Sequence, residues 1–312
     1  MSGNLWIAVT LFAVAMQAVR TAGQKQLTAH LDPISVTLVR FVFGLPFAIA
    51  FLLVVKLRSD AELPPVNATF LTFSALAGFS QIVATVALVR LFSMRNFAVG
   101  TTYARTEAFL TAFVGALVYG EVIRAAGWIA IVVSVAGVVL ITLARAARPA
   151  QPLGARSKCS AAPGRFARPE AAVGLASGLG FALASLSIRK ASLSFGIDEF
   201  LLSAGMVLVT TVVIQSSAML GYALIAARDK LVIMMGQWRL CLFIGLTSAL
   251  GSIGWFVAMT LERASYVKAL GQIEFVLTLA ISTLFFKERS SKLELAGMAL
   301  VALGIVVLVA GG

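Results

Sequence analysis

Runs of about 20 apolar residues recur along this chain, and nearly all of its charge falls in the short stretches between them. That length spans a hydrocarbon core of roughly 30 Å as a helix. In lipid the backbone must satisfy its own hydrogen bonds, so only helices and closed barrels cross. The runs lack the alternation of a barrel strand and predict helices at 4–23, 34–55, 69–91, 97–118 and 125–144, then at 171–189, 199–226, 239–261, 265–286 and 294–310. Sixty per cent of the residues are hydrophobic, 12% are charged and mean hydropathy is +0.98, which leaves little chain for a soluble domain.

Net charge is +12, which in a soluble chain would suggest nucleic acid. Here Lys and Arg flank the spans, where anionic headgroups hold them, so no nucleic-acid partner is expected. Cys159 and Cys241 have no metal-ligand spacing. A single histidine, His30, no HExxH or GxSxG arrangement, and aspartates confined to connecting segments (Asp32, Asp60, Asp198, Asp229) argue against a membrane-embedded enzyme. The first run has no Lys or Arg before it and reads as a retained span, not a cleaved signal.

Five spans per half is odd, so consecutive copies of such a unit enter the membrane from opposite sides. The halves repeat in sequence: Glu107 and Glu121 return as Glu274 and Glu288, 167 residues on in each case (274 − 107 and 288 − 121). Leu110, Thr111, Leu117, Gly137 and Val139 return at the same offset as Leu277, Thr278, Leu284, Gly304 and Val306. Phe12-Ala13-x-Ala15 with Arg20 recurs as Phe181-Ala182-x-Ala184 with Arg189. The expected fold is therefore an all-α integral membrane protein of ten transmembrane helices in two inverted five-helix repeats, 1–145 and 170–312. Residues 146–169, rich in Ala, Pro, Gly, Ser and Arg, form a flexible basic linker. Asp32 and Asp198 stand where helix N-caps belong, and Pro33 takes the first helical position.

The pattern Glu107-x-x-Leu110, Gly120-Glu121 and a span containing Gly137, repeated as Glu274-x-x-Leu277, Lys287-Glu288 and Gly304, resembles the EamA-type repeat of the drug/metabolite transporter superfamily. The chain departs from it at Ala108 and Phe275, where the family usually has Pro, and at Lys287, where it usually has Gly. The resemblance implies a secondary transporter of metabolites, amino acids or drug-like compounds, working as an exporter by alternating access in a bacterial inner membrane, with no cofactor. It also implies cytoplasmic termini, whereas the distribution of Lys and Arg around the spans puts the linker in the cytoplasm and the termini outside. A channel or a non-transporting scaffold is the alternative from another class.

An ionisable residue at membrane depth costs at least about 2.5 to 3.5 kcal/mol to insert, so it needs a partner, water or a task. Glu107 and Glu274 fall near the middles of spans four and nine. Tyr103, Glu107 and Thr111 share one helical face, and Glu274 with Thr278 mirrors them. The expected roles are substrate binding or proton coupling, with interhelical hydrogen bonding as the plainer alternative. Arg40 and Arg105 are the expected internal cations, and Lys268 with Gln272 is placed to line the same cavity, unless Arg40 and Lys268 reach out to an interface. Gln17, Gln81 and Trp255 are secondary candidates, either gripping substrate or bridging helices. The two arginines suggest a substrate with an anionic group, alone or beside a cation as in an amino acid. Arg20 and Arg189 read as interfacial anchors. Glu121 and Glu288 read as charges near the starts of the helices that follow them.

Overall fold

The computed structural model describes residues 4–59, 61–91, 104, 106–146, 168–274 and 291–311, and among these it is helical with no strand. The helices are α1 (Leu5–Leu27), α2 (Pro33–Val42), α3 (Leu45–Arg58), α4 (Ala68–Leu91), α5 (Glu107–Val118), α6 (Ala125–Ala146), α7 (Arg168–Leu193), α8 (Phe200–Ala226), α9 (Arg228–Gly236), α10 (Trp238–Leu261), α11 (Ala264–Gly271) and α12 (Lys292–Gly311). Eight stretches among the described residues are long and apolar enough to cross a membrane: α1, α2 with α3, α4, α6, α7, α8, α10 and α12. Their outer faces leave large apolar side chains bare, Leu53, Phe79, Val83, Ile129 and Leu303 among them. In water such faces would mark an interaction surface; here they suit lipid.

The helices begin and end close to where the apolar runs do, with three differences. The run expected at 34–55 is broken at Phe43–Gly44. Pro46 offers no N–H to a helical carbonyl and its ring crowds the preceding turn, which separates α2 from α3. Gly245 of α10 comes against the break, and a Cβ there would lie 2.5 Å from Phe43. Short α9 follows α8 where no helix was expected. The expected spans 97–118 and 265–286 are represented by α5 and α11, and the rest of each, with most of the linker, lies outside the described residues.

The starts of two helices separate a correct expectation from a wrong one. The Asp32 carboxylate accepts from the backbone N–H groups of Ile34 and Ser35 at 3.1 and 3.3 Å, so it caps α2 as expected. Asp198 does not cap α8: the N-cap position belongs to Glu199, without a side-chain bond. At α12, Ser291 and Glu294 form a reciprocal capping box, with Ser291 N donating to Glu294 Oε2 at 2.7 Å and Glu294 N donating to Ser291 Oγ at 3.2 Å.

Packing is set by small residues. α1 lies along α10, α4 along α7 and α6 along α12, with α3 against α8 and α5 against α11. A Cβ on Gly254 would meet that of Ala13 at 2.8 Å, and one on Gly180 would meet that of Ala84 at 2.9 Å. Helices in lipid gain little from burying apolar surface against each other, so close backbone approach of this kind supplies the van der Waals contact that holds them.

Candidate functional site

The crossing of α1 with α10 decides what meets at the centre. Because Gly254 lets the two backbones close on Ala13, the next residue, Trp255, reaches Gln17 one turn along α1. Trp255 Nε1 donates to Gln17 Oε1 at 3.0 Å, and Gln17 Nε2 donates to Glu274 Oε2 at 3.1 Å. Gly271, at the end of α11, leaves room for the indole: a Cβ there would lie 2.7 Å from Trp255 Cη2.

From the other side α11 brings Lys268 to Glu107, the first residue of α5. Lys268 Nζ lies 2.5 Å from Glu107 Oε1, with side chains 13% and 21% exposed respectively. The same ammonium sits 4.5 Å from the Trp255 ring centroid and 5.8 Å from that of Phe181. A cation over an aromatic face and against a carboxylate is held by charge on both sides. Gln17, Glu107, Ala108, Trp255, Lys268, Gly271, Gln272 and Glu274 line one small cavity of about 40 Å³. Gln272 is 6% exposed, and among the described residues neither Oε1 nor Nε2 has a hydrogen-bond partner. Leaving buried amide atoms unbonded costs about 1–3 kcal/mol apiece.

Six of the expected site residues thus share one cavity: Gln17, Glu107, Trp255, Lys268, Gln272 and Glu274. Lys268 points inward and does not reach an interface. Thr111 is buried, but its Oγ1 donates to the Glu107 carbonyl at 2.8 Å and the residue does not line the cavity. Arg40 is the clear departure. It is 5% exposed, donates from Nη1 to Thr85 Oγ1 at 2.8 Å, and stands between α2 and α4 away from the cavity. Periodicity gave its depth but not the face it occupies. Gln81 bridges helices, accepting from Gln215 Nε2 at 2.7 Å. Tyr103, Arg105 and Thr278 lie outside the described residues.

Two anchoring residues have different work from that expected. Arg20 is buried at 3% exposure instead of sitting at an interface. Arg189 donates from Nη1 to the Met259 carbonyl at 2.8 Å and also to that of Glu262, closing the C-terminal end of α10 against α7. Its Nε lies 3.7 Å from Glu121 Oε1. Glu121 in turn accepts from Ala264 N at 3.1 Å and Ser265 Oγ at 2.8 Å, so it caps α11. The helix dipole argument was right in kind, but the helix is one 143 residues away in sequence and not the one that follows. At about 1.5 Å per residue, α11 is a rod of about 12 Å, tied to Glu121 at one end and carrying Lys268 and Gln272 at the other. A larger cavity of about 570 Å³ opens at the Glu121 end, beside Arg189, Lys190 and Arg263.

Gly271→Ala will push the indole off its seat. A red or blue shift in Trp255 emission, read in a variant keeping Trp255 as the sole tryptophan, is the expected result, and an unchanged spectrum would show that the ring has slack.

Among known families, residues 2–143 match the EamA-like transporter family, which is part of the drug/metabolite transporter superfamily. Comparison with curated proteins gives no match. A solved protein crystal structure is similar over 98% of this chain and 97% of its own, with a TM-score of 0.67 and 13% identity, a likeness of fold alone.

Proposed function

We propose that this chain, which over residues 2–143 belongs to the EamA-like transporter family and is an integral multi-pass membrane protein, is a secondary carrier of small organic molecules. In this reading two inverted five-helix repeats rock about the cavity that holds Glu107 and Glu274. The observation that carries it is the meeting of these two glutamates, one from each half and 167 residues apart, in a single cavity lined by α1, α5, α10 and α11. The packing of the helices supports the repeat. Exchanging α1 with α7 and α4 with α10 turns the α1–α10 contact into the α7–α4 contact, while the α6–α12 and α3–α8 contacts map onto themselves. Two like units around one site are what alternating access requires.

The cavity of about 40 Å³ takes a few waters, against several hundred Å³ for a usual ligand site, so a substrate enters only when side chains or helices part. The inventory differs from the one expected from sequence. With Arg40 engaged elsewhere, the cation among the described residues that line the cavity is Lys268, beside two carboxylates, two amides and an indole. We keep export, amino acids or drug-like compounds, and coupling to protons as parts of the proposal.

Purified protein in proteoliposomes tests the reading. Saturable flux with counterflow is expected; conduction that rises without saturation would make it a channel. Glu107→Gln leaves Lys268 without its carboxylate and is expected to lower gradient-driven uptake and exchange alike by at least about 10-fold. Glu274→Gln, which keeps shape but cannot titrate, is expected to abolish gradient-driven uptake and spare exchange. Full activity in both, and in the double variant, would return the glutamates to a structural role. The repeat is tested by reporter fusions at residue 157 and after Gly312, expected on opposite sides of the membrane; reporters on the same side would break the inverted arrangement.

A further inference from the structure

We infer that Lys268 is a tethered stand-in for the substrate's own cation: a small molecule carrying a protonated amine next to an aromatic or apolar body binds by replacing the Lys268 ammonium on Glu107 and over Trp255. The inference rests on the carrier reading above and names the chemistry of its site.

Four observations converge on it. The Lys268 ammonium already has the surroundings that recognise an alkylammonium, with a carboxylate oxygen at 2.5 Å and an indole face at 4.5 Å. It occupies them from a flexible stem, so it can leave without any helix unfolding. The cavity has too little room for an added ligand while Lys268 is in place, so binding and displacement are one event. Gln272 then offers a buried donor and a buried acceptor, both without a partner among the described residues, to a second polar group on the same ligand.

A structural clamp between α5 and α11 is the competing account, and the repeat speaks against it. The position of Lys268 in the first half is Thr101, and that of Gln272 is Arg105, so the architecture does not demand a lysine there. Glu107 and Glu274, by contrast, recur. A residue that differs between the halves at a shared cavity fits a task belonging to the ligand better than one belonging to the scaffold.

The mechanism makes an unusual demand: removing a charged residue from the site should strengthen binding of one class of ligand. In the empty protein Lys268 competes with the ligand ammonium at an effective concentration set by its tether. Lys268→Gln and Lys268→Met abolish that competition and leave Glu107 to the ligand, whereas Lys268→Arg keeps it. The probes are phenethylammonium and its neutral counterpart 2-phenylethanol, titrated calorimetrically into the full-length protein in nanodiscs. We expect phenethylammonium to bind Lys268→Gln and Lys268→Met at least about 10-fold more tightly than the parent, with no gain in Lys268→Arg and no gain for 2-phenylethanol. In the Glu107→Gln/Lys268→Gln double variant the gain should vanish.

Equal or weaker phenethylammonium binding in Lys268→Gln and Lys268→Met, both folded by thermal unfolding, would overturn the inference. So would an equal gain for 2-phenylethanol, which would mean that space and not charge was limiting. Trp255→Ala and Gln272→Ala separate this from the carrier reading. If they weaken phenethylammonium binding while the Lys268 variants fail to strengthen it, the site stands and the stand-in role falls. If neither substitution affects binding, the cavity is not the substrate site and both fail.

Discussion

Glu121→Ala will destabilise the protein more than any single change inside the cavity. Its carboxylate is 8% exposed and does three things at once: it accepts from Ala264 N, accepts from Ser265 Oγ, and stands 3.7 Å from Arg189 Nε. Truncation leaves two donors of α11 unmet and takes from the Arg189 guanidinium one of its two neighbouring carboxylates, the other being Glu262. Stripping one partner from a buried ion pair costs about 3–5 kcal/mol, and loss of a helix cap about 0.5–2 kcal/mol. Because the groups share one network, these figures are not to be added. The expected result is a strongly lowered unfolding temperature in detergent, together with loss of ligand binding at the cavity some 12 Å along α11, since Lys268 and Gln272 ride on that helix. Glu121→Gln, which can still accept hydrogen bonds but not pair with Arg189, should fall between the parent and the alanine variant. A parent-like unfolding temperature in Glu121→Ala would show that α11 is held elsewhere.

Gly137→Leu is expected to part α6 from α12. A Cβ at Gly137 would lie 2.6 Å from the Gly297 carbonyl oxygen, and one at Gly297 would lie 2.7 Å from that of Gly137, so the two backbones touch. Gly304 repeats the contact further along, where a Cβ would lie 2.7 Å from the Ala130 carbonyl. A side chain here meets backbone, which cannot swing aside as a rotamer can. Overpacking typically costs about 1–3 kcal/mol, and a whole isobutyl group against a carbonyl belongs at or above the top of that range. Gly137→Ala should cost less, and the ordering Gly, Ala, Leu in thermal unfolding is the measurement. If the leucine variant unfolds with the parent, the crossing has freedom that its geometry denies.

How much of this was legible in the sequence follows from which forces act locally. Hydropathy and length placed α1, α4, α6, α8, α10 and α12 because a bilayer filters each span on its own composition. Glu107, Glu274, Lys268, Gln272, Gln17 and Trp255 stood out because polar and ionisable groups are expensive in apolar runs. What the sequence did not carry was direction. Arg40 has the same depth signature as Lys268, yet one bonds Thr85 between helices and the other faces the cavity. The role of Glu121 was hidden for a related reason. Its partners Ala264 and Ser265 lie across the fold, and no local spacing announces a cap supplied from the other half. Other signals were present and unread: Gly44 and Pro46 for the break between α2 and α3, and Ser291-x-x-Glu294 for the start of α12.

Two identical halves would give a rocking carrier two end states related by a two-fold rotation and therefore equal in energy. In the carrier proposed above, Lys268, facing Glu107 from a position the other half fills with Thr101, is one residue that would break that equality. Its ion pair draws α11 onto α5. An imbalance of only about 1.4 kcal/mol keeps ten molecules in one form for each in the other. On the carrier reading the empty protein then has a preferred resting direction, and a ligand that displaces the lysine shifts the balance between the two forms as it binds. Directionality then resides less in what the two halves share than in side chains, Lys268 among them, that do not recur.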